Sequence, residues 1–168
     1  MKYYINEIIK NGNSPFEINE TCDFSELIST HSDIRKISPV KITGEGRLSG
    51  ENVIFTLNIT CDIILPCALT LDDVNYHMEI NTTEYFTFKQ YAQEADYDYD
   101  INIVKGAYIE LASVIWQNIL VNVPLRVVSK NAHERIKKKG DNWQIVDENH
   151  KEDYIDPRFS KLKELLKK

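Results

Sequence analysis

Residues 53 to 65, VIFTLNITCDIIL, alternate almost without a break. Val53, Phe55, Leu57, Ile59, Cys61, Ile63 and Leu65 share one parity, and Thr56, Asn58, Thr60 and Asp62 fall on the other. Successive strand side chains point to opposite faces, so this period of two predicts one long half-buried strand. Upstream, Val40, Ile42 and Leu48 of VKITGEGRL share a parity, and SGEN (49–52) is a turn signal. Downstream of the break PCALTLDD, Val74, Tyr76, Met78 and Ile80 alternate with Asn75, His77 and Glu79, and the parity runs on to Phe86 and Phe88. Three such strands in succession predict an antiparallel meander with one dry and one wet face, either open or barrel-like.

The flanks read less regularly. KYYINEII is a short apolar opening of undecided type. PFEINETCDF reads as a strand with Phe16, Ile18, Glu20 and Cys22 on one face. DFSELIST suggests a short helical turn with Asp23 or Ser25 as its N-cap. SDIRKISP is a connector and the acidic run 91–102 a loop. In GAYIELASVIWQNILVNVP, the residues Tyr108, Leu111, Ala112, Ile115 and Ile119 recur at helical spacing, and Pro124 stops the pattern. Such a helix is expected to cover the dry face of the sheet. LRVVS reads as one more short strand. Beyond Lys130 a polar loop with Trp143 as local anchor leads to a terminal helix, IDPRFSKLKELLKK. Its N-cap is Asp156, Pro157 suits the first helical position, and Phe159, Leu162 and Leu166 form its stripe. The fold class expected is α+β: an antiparallel meander packed against one main amphipathic helix, with a C-terminal helix. The core is assigned to 1–129, and 130–168 joins it as part of the same single domain.

Composition narrows the class. The chain has 168 residues, 42% hydrophobic and 27% charged, values ordinary for one soluble globular domain. No run approaches the roughly 20 apolar residues of a membrane span. The N-terminus lacks the apolar stretch of a signal peptide, so a cytoplasmic location without membrane contact is expected. The net charge of −6 argues against a plain polyanion binder. It is unevenly spread: residues 130–168 carry 11 Lys+Arg against 8 Asp+Glu, a net of +3, and the rest carry 9 against 18, a net of −9. An acidic body with a basic tail bears on partners rather than on fold. Lys130, Arg135, Lys137, Lys138 and Lys139 form a loop-borne patch able to neutralise phosphates without reading bases.

Three cysteines, an odd number, fit reduced thiols better than a disulfide framework. Cys61 and Cys67 lie six apart, and no second pair exists to complete a four-ligand zinc set. Six residues of strand span roughly 20 Å, so only a sharp reversal at Pro66 could join them. Cys61 is in the apolar phase and reads as a core thiol. Cys67 follows Pro66 at a strand end, a context that points to exposure. A catalytic thiolate there needs a histidine or helix N-terminus beside it. His77 is the conceivable partner across a hairpin, although its parity assigns it to the polar face. His31, His133 and His150 lie in polar contexts, and no metalloprotease, nucleophile-elbow or phosphate-loop pattern occurs. Glu94, Asp96, Asp98 and Asp100 lack the glycine and distal glutamate of a calcium loop.

Four stretches in order, SDIRKISPVKITGEGRLS, ILPCALTLDDVNY, NTTEYFTF and YIDPRFSKLKELL, resemble the YceD/YlbN family, and its YlbN-like branch most. The likeness covers nearly the whole chain. It implies an antiparallel β core with packed helices and a role in accumulation of large-subunit ribosomal RNA, hence in ribosome biogenesis. No catalytic residue comes with it, and no metal or cofactor is expected. The family turn maps to Pro66, Cys67, Leu69, Thr70 and Asp72, and the closing motif to Asp156, Pro157 and Arg158. Many relatives have CxRC where this chain has CALT, so that Leu69 and Thr70 replace the arginine and second cysteine. Many also have a cysteine-rich stretch after the main helix, where this chain has VPLRVVSKNAHERIKKKG. A zinc role is thereby placed in doubt here.

The expectation is a non-catalytic factor acting on large-subunit ribosomal RNA or its precursor by binding RNA, a large-subunit ribosomal protein, or both. The alternatives are an RNA-directed nuclease or thiol-dependent hydrolase, and a protein-only adaptor for a ribosomal protein.

Overall fold

In the computed structural model the residues described are 1–29, 33–89, 100–135 and 140. The chain divides into two compact units, Met1–Ala132 and His133–Lys168. Among the described residues, the first contains every strand and the main helix.

The uninterrupted alternation becomes β5 (Asn52–Pro66), in which all seven apolar-phase residues from Val53 to Leu65 are buried. It pairs along its whole length with β6 (Asp73–Thr87), from Asn52↔Thr87 to Pro66↔Asp73. On its other edge it pairs with β4 (Val40–Ser49) from Thr60 to Asn52. The two-residue turn Gly50-Glu51 closes that hairpin, with Gly50 at φ +64°, a region glycine enters without a Cβ clash. β2 (Phe16–Cys22) pairs with β4, with Phe16, Ile18, Glu20 and Cys22 turned inward as the parity predicts. Glu20 is tolerated there because the Tyr3 hydroxyl donates to its Oε1 at 2.8 Å. Burial, and then this carboxylate, push the Tyr3 phenol well above its ordinary range.

The connector SDIRKISP contains a further short strand, β3 (Lys36–Ile37), on the same edge of β5 as β4. Ile37 faces Ile63 and Lys41 faces Thr60. Three residues, including Pro39, therefore oppose two on β5. Proline has no N–H to give a ladder, so it suits this break. A short strand that begins at the last residue of the expected loop, β7 (Asn102–Ile103), pairs parallel with Phe86 and Thr87. The sheet order β2-β4-β5-β6-β7 is open, and the barrel-like alternative gives way to it.

The undecided opening is β1 (Lys2–Tyr4) followed by α1 (Ile5–Asn11). β1 pairs with β8 (Tyr108–Glu110) in a second, two-stranded sheet. Tyr108 thus lies on a strand, half-exposed, rather than on the stripe of the main helix. α2 starts at Leu111 and runs to Asn122, two residues before Pro124. Leu111, Val114, Ile115 and Ile119 enter the same core cluster as the sheet residues. Phe24, just ahead of a 3₁₀ turn (Ser25–Ser29), stacks on Trp116 at 5.6 Å. The Ser25 N–H is capped by Asp23 at 2.9 Å. At the centre, Phe55 packs against Tyr3, Phe16 and Phe86 with ring centroids 5.4 to 5.9 Å apart. Full burial of a side chain of this size is worth about 1.5–3 kcal/mol. Glu84 pins the helix to β6: its Oε1 accepts from Asn118 Nδ2 at 2.7 Å and Thr82 Oγ1 at 2.9 Å.

Candidate functional site

The end of the β5–β6 hairpin carries the predicted turn residues. Pro66 is the last residue of β5, paired with Asp73, where a ladder tolerates proline. The turn 67–72 is closed by its own backbone. The Cys67 N–H donates to the Asp72 carbonyl at 2.8 Å, and the Leu71 N–H to the Cys67 carbonyl at 2.9 Å. Leu71 takes φ +63° and leaves its side chain 69% exposed. The Thr70 hydroxyl donates to Asp72 Oδ2 at 2.9 Å. At the turn's far side Arg35 and Asp73 form an ion pair, and the Arg35 N–H donates to the Ile64 carbonyl at 2.8 Å.

The segment after Pro124 lies across this turn. LRVVS is not a strand. It is an irregular strap whose Val127 carbonyl accepts from the Ala68 N–H at 2.8 Å. Two residues on, the Ser129 N–H donates to Cys67 Sγ at 3.4 Å. The strap ends where Ala132, wholly buried, donates to the Ser129 carbonyl and opens α3 (Ala132–Arg135).

This strap overturns the expected exposure of Cys67, which is 0% accessible. The strand end alone would leave the thiol open, but a segment 62 residues away covers it. Although buried, Cys67 stands outside the main core cluster that contains Cys61. The two thiols are opposite in chemistry. Burial pushes the Cys61 thiol up. Cys67 is pulled down to about 6, first by the Ser129 N–H, then by the Thr70 hydroxyl, whose single proton Cys67 shares with Asp72 Oδ2, and further by the Leu69 and Thr70 N–H groups. Hydrogen bonds to the charged form stabilise a thiolate in this way, against the opposing effect of burial.

His77 is not part of this turn. It lies on the wet face of β6, with Nδ1 2.7 Å from Asp62 Oδ1. Lys130 is exposed at the end of the strap, as is Arg126 within it. Arg135 belongs to the second unit. Lys137, Lys138, Lys139, Asp156, Pro157 and Arg158 lie outside the described residues, as do Glu94, Asp96 and Asp98. Sequence reasoning singled out the turn and Lys130 separately, and the structure brings the turn and the root of the basic segment together. It missed Val127, Ser129 and Ala132, because nothing local in VVSKNA signals a partner at residue 67. The turn and residues 127–129 of the strap therefore meet here. Two hydrogen bonds, Ala68–Val127 and Ser129–Cys67, make the join. Among the described residues, no three metal-type side chains gather, and no helix is long and apolar enough to cross a membrane.

The chain is similar to known sequences over most of its length. The family model described as large ribosomal RNA subunit accumulation protein YceD matches residues 55–166. The uncharacterized protein YlbN of Bacillus subtilis (strain 168) is 33% identical over 169 residues, which covers 99% of this chain and 97% of that protein. No solved structure matches. The matched region begins in the buried core of β5 and takes in the 67–72 turn, α2 and the strap, so that the turn and its cover both fall within what the family shares, and the chain belongs to the YceD family of large ribosomal RNA subunit accumulation proteins.

Proposed function

We propose that this protein is a non-catalytic factor that supports accumulation of large-subunit ribosomal RNA by binding that RNA or its precursor through the strap and the basic residues that follow it. The observation that carries the reading is family membership over a region that includes the turn and its strap. Two features support it. Arg126 and Lys130 are exposed on the strap, and Arg135, Lys137, Lys138 and Lys139 follow within nine residues of Lys130. Clustered cations of this kind bind phosphates by releasing counterions. A thiol hydrolase is disfavoured because Cys67 is covered and the described imidazole, His77, is engaged with Asp62.

Deleting the gene should lower large-subunit relative to small-subunit ribosomal RNA, and re-expression of the wild-type protein should restore it. Re-expression with Lys137, Lys138 and Lys139 changed to glutamate should not. An unchanged ratio in the deletion strain overturns the reading. Binding of the purified protein to precursor RNA should weaken steeply with salt; affinity for a ribosomal protein that ignores salt, with no RNA bound, would identify a protein-only adaptor instead.

A further inference from the structure

The wet face of the sheet holds a second region that the RNA reading does not use. Rows across the strands follow from the register: Asn19, Thr43, Asn58 and Asn81 form one, and Glu17, Glu45, Thr56 and Thr83 the next. These two rows floor an open groove of about 700 Å³. The charged residues that line it are Glu17 and Glu45, both acidic and both exposed. They face each other directly across β2 and β4. Directly opposed like charges on an antiparallel pair are destabilising, with Cβ atoms about 4.5–5.5 Å apart. Among the described residues neither has an ion-pair partner. Lys41 and Arg47 flank the groove two residues to either side on β4, the first in a row that ends in Glu79.

The groove is built rather than incidental. A Cβ added at Gly44, in its floor, would collide with the Thr56 carbonyl oxygen, so β4 and β5 reach this approach only with glycine there. Asn58 Nδ2 donates to Glu79 Oε1 at 3.0 Å and Asn81 Oδ1 at 2.9 Å, which fixes the amide ladder along one side.

Phosphate is a poor occupant, because the lining charge is negative. No aromatic ring lines the groove, so single-stranded bases would have no stacking platform. A lone divalent cation is also poorly served: two carboxylates fall short of the six to eight oxygens calcium takes. What fits is a chain with cations at intervals and main-chain groups to satisfy. Asparagine amides both donate and accept, as do threonine hydroxyls, and the carboxylates would take the cations. We infer that this groove is the docking site for an extended lysine- or arginine-rich polypeptide segment of a partner protein, held by Glu17 and Glu45 over the amide and hydroxyl floor.

The test uses the full chain and a fluorescein-labelled decapeptide of alternating lysine and serine, read by anisotropy. Wild-type protein should bind saturably. The double variant Glu17→Gln/Glu45→Gln should bind at least tenfold more weakly. The same charge removed elsewhere, Glu7→Gln/Glu110→Gln, should stay within twofold. Circular dichroism melts check folding, and the groove variant should melt no lower than wild type, since it relieves a like-charge pair. Equal weakening in both variants would mean diffuse attraction to the acidic body and overturns the inference. So does absence of saturable binding. Self-association lost with the groove variant and untouched by peptide would make the occupant a second copy and overturn it too. The groove does not rest on the RNA reading: its failure leaves the ribosomal RNA ratio unaffected, and failure of that ratio leaves peptide binding unaffected.

Discussion

The turn 67–72 and the groove around Asn58 lie on one hairpin, roughly 26 Å apart along β5 at 3.3 Å per residue, yet they are held in different ways. The groove is made of ladder partners on both sides, β4 and β6, and its shape is a property of the sheet itself. The turn is finished by a strap that arrives from beyond α2 and is tied by the Ala68–Val127 and Ser129–Cys67 hydrogen bonds and the buried Ala132. Regions held by a few tertiary bonds open locally, with free energies well below global unfolding. A region inside a paired sheet opens only with the sheet. The proposed surface that is rigid therefore lies midway along these two strands, and the proposed surface able to detach lies at their end.

The largest effect should come from breaking the rigid end. Gly44→Val drives a side chain into the Thr56 carbonyl, and backbone cannot give way as a flexible side chain does. A cost on the order of 3 kcal/mol or more is expected, which lowers the melting temperature by roughly 6–12 °C for a chain of this size. Gly50→Ala, at φ +64° in an open turn, should cost about 1 kcal/mol. Thermal melts by circular dichroism compare the two. A Gly44→Val protein that melts like Gly50→Ala would mean that β4 and β5 adjust at this point and that the groove is not rigid.

The same contrast explains what was legible in the sequence. The sheet is written in local alternation, so Val53 to Leu65, the 49–52 turn and the inward set of β2 can be read without any partner in view. α2 is legible from Leu111 onward, but Tyr108 fits the helical period by coincidence and belongs to β8, because its pairing with β1 is a contact between residues 2–4 and 108–110. β3 and β7 are two residues each, too short for any period. The candidate site divides likewise. Pro66, Cys67 and Asp72 stand out as a turn, whereas the burial of Cys67 depends on Ser129, and no pattern links the two. Glu17 and Glu45 look like ordinary wet-face residues until the register sets them opposite one another.

Breaking the detachable end should have a smaller global effect and a large local one. Ser129→Pro removes the N–H that reaches Cys67 Sγ, and Ala132→Glu forces a charge into a fully buried position. At about pH 9.5, where a Cys67 thiol freed from the Ser129 N–H is also largely ionised, either should accelerate iodoacetamide labelling of native Cys67, located by peptide mapping, on the order of ten- to a hundredfold. The urea midpoint of the sheet should shift little by comparison. Cys61, inside the core cluster, should stay unlabelled in both. If labelling of Cys67 rises only in step with global unfolding, the strap is part of the sheet's cooperative unit and the two ends do not differ.

The smallest effect is a dependence on pH confined to the strap. The ordinary thiol value is 9.0, and Cys67 in the folded protein lies at about 6. The folded value is the lower one, so the native state binds fewer protons than the unfolded state between these limits, and stability rises with pH there. The thiolate's contribution is complete above about pH 9 and fades as pH falls toward 6. Amide exchange at Ser129, corrected for its intrinsic pH dependence, should report this fading as the loss of the wild type's extra protection over Cys67→Ser. The amide of Asn58, in the groove, should show no such difference between the two proteins. The global melt should also move little, because the group acts in a segment that opens without the sheet. A Ser129 protection difference that stays constant from pH 9 to 6 would mean that the thiol does not ionise in this interval, and that Ser129 donates to a neutral sulfur.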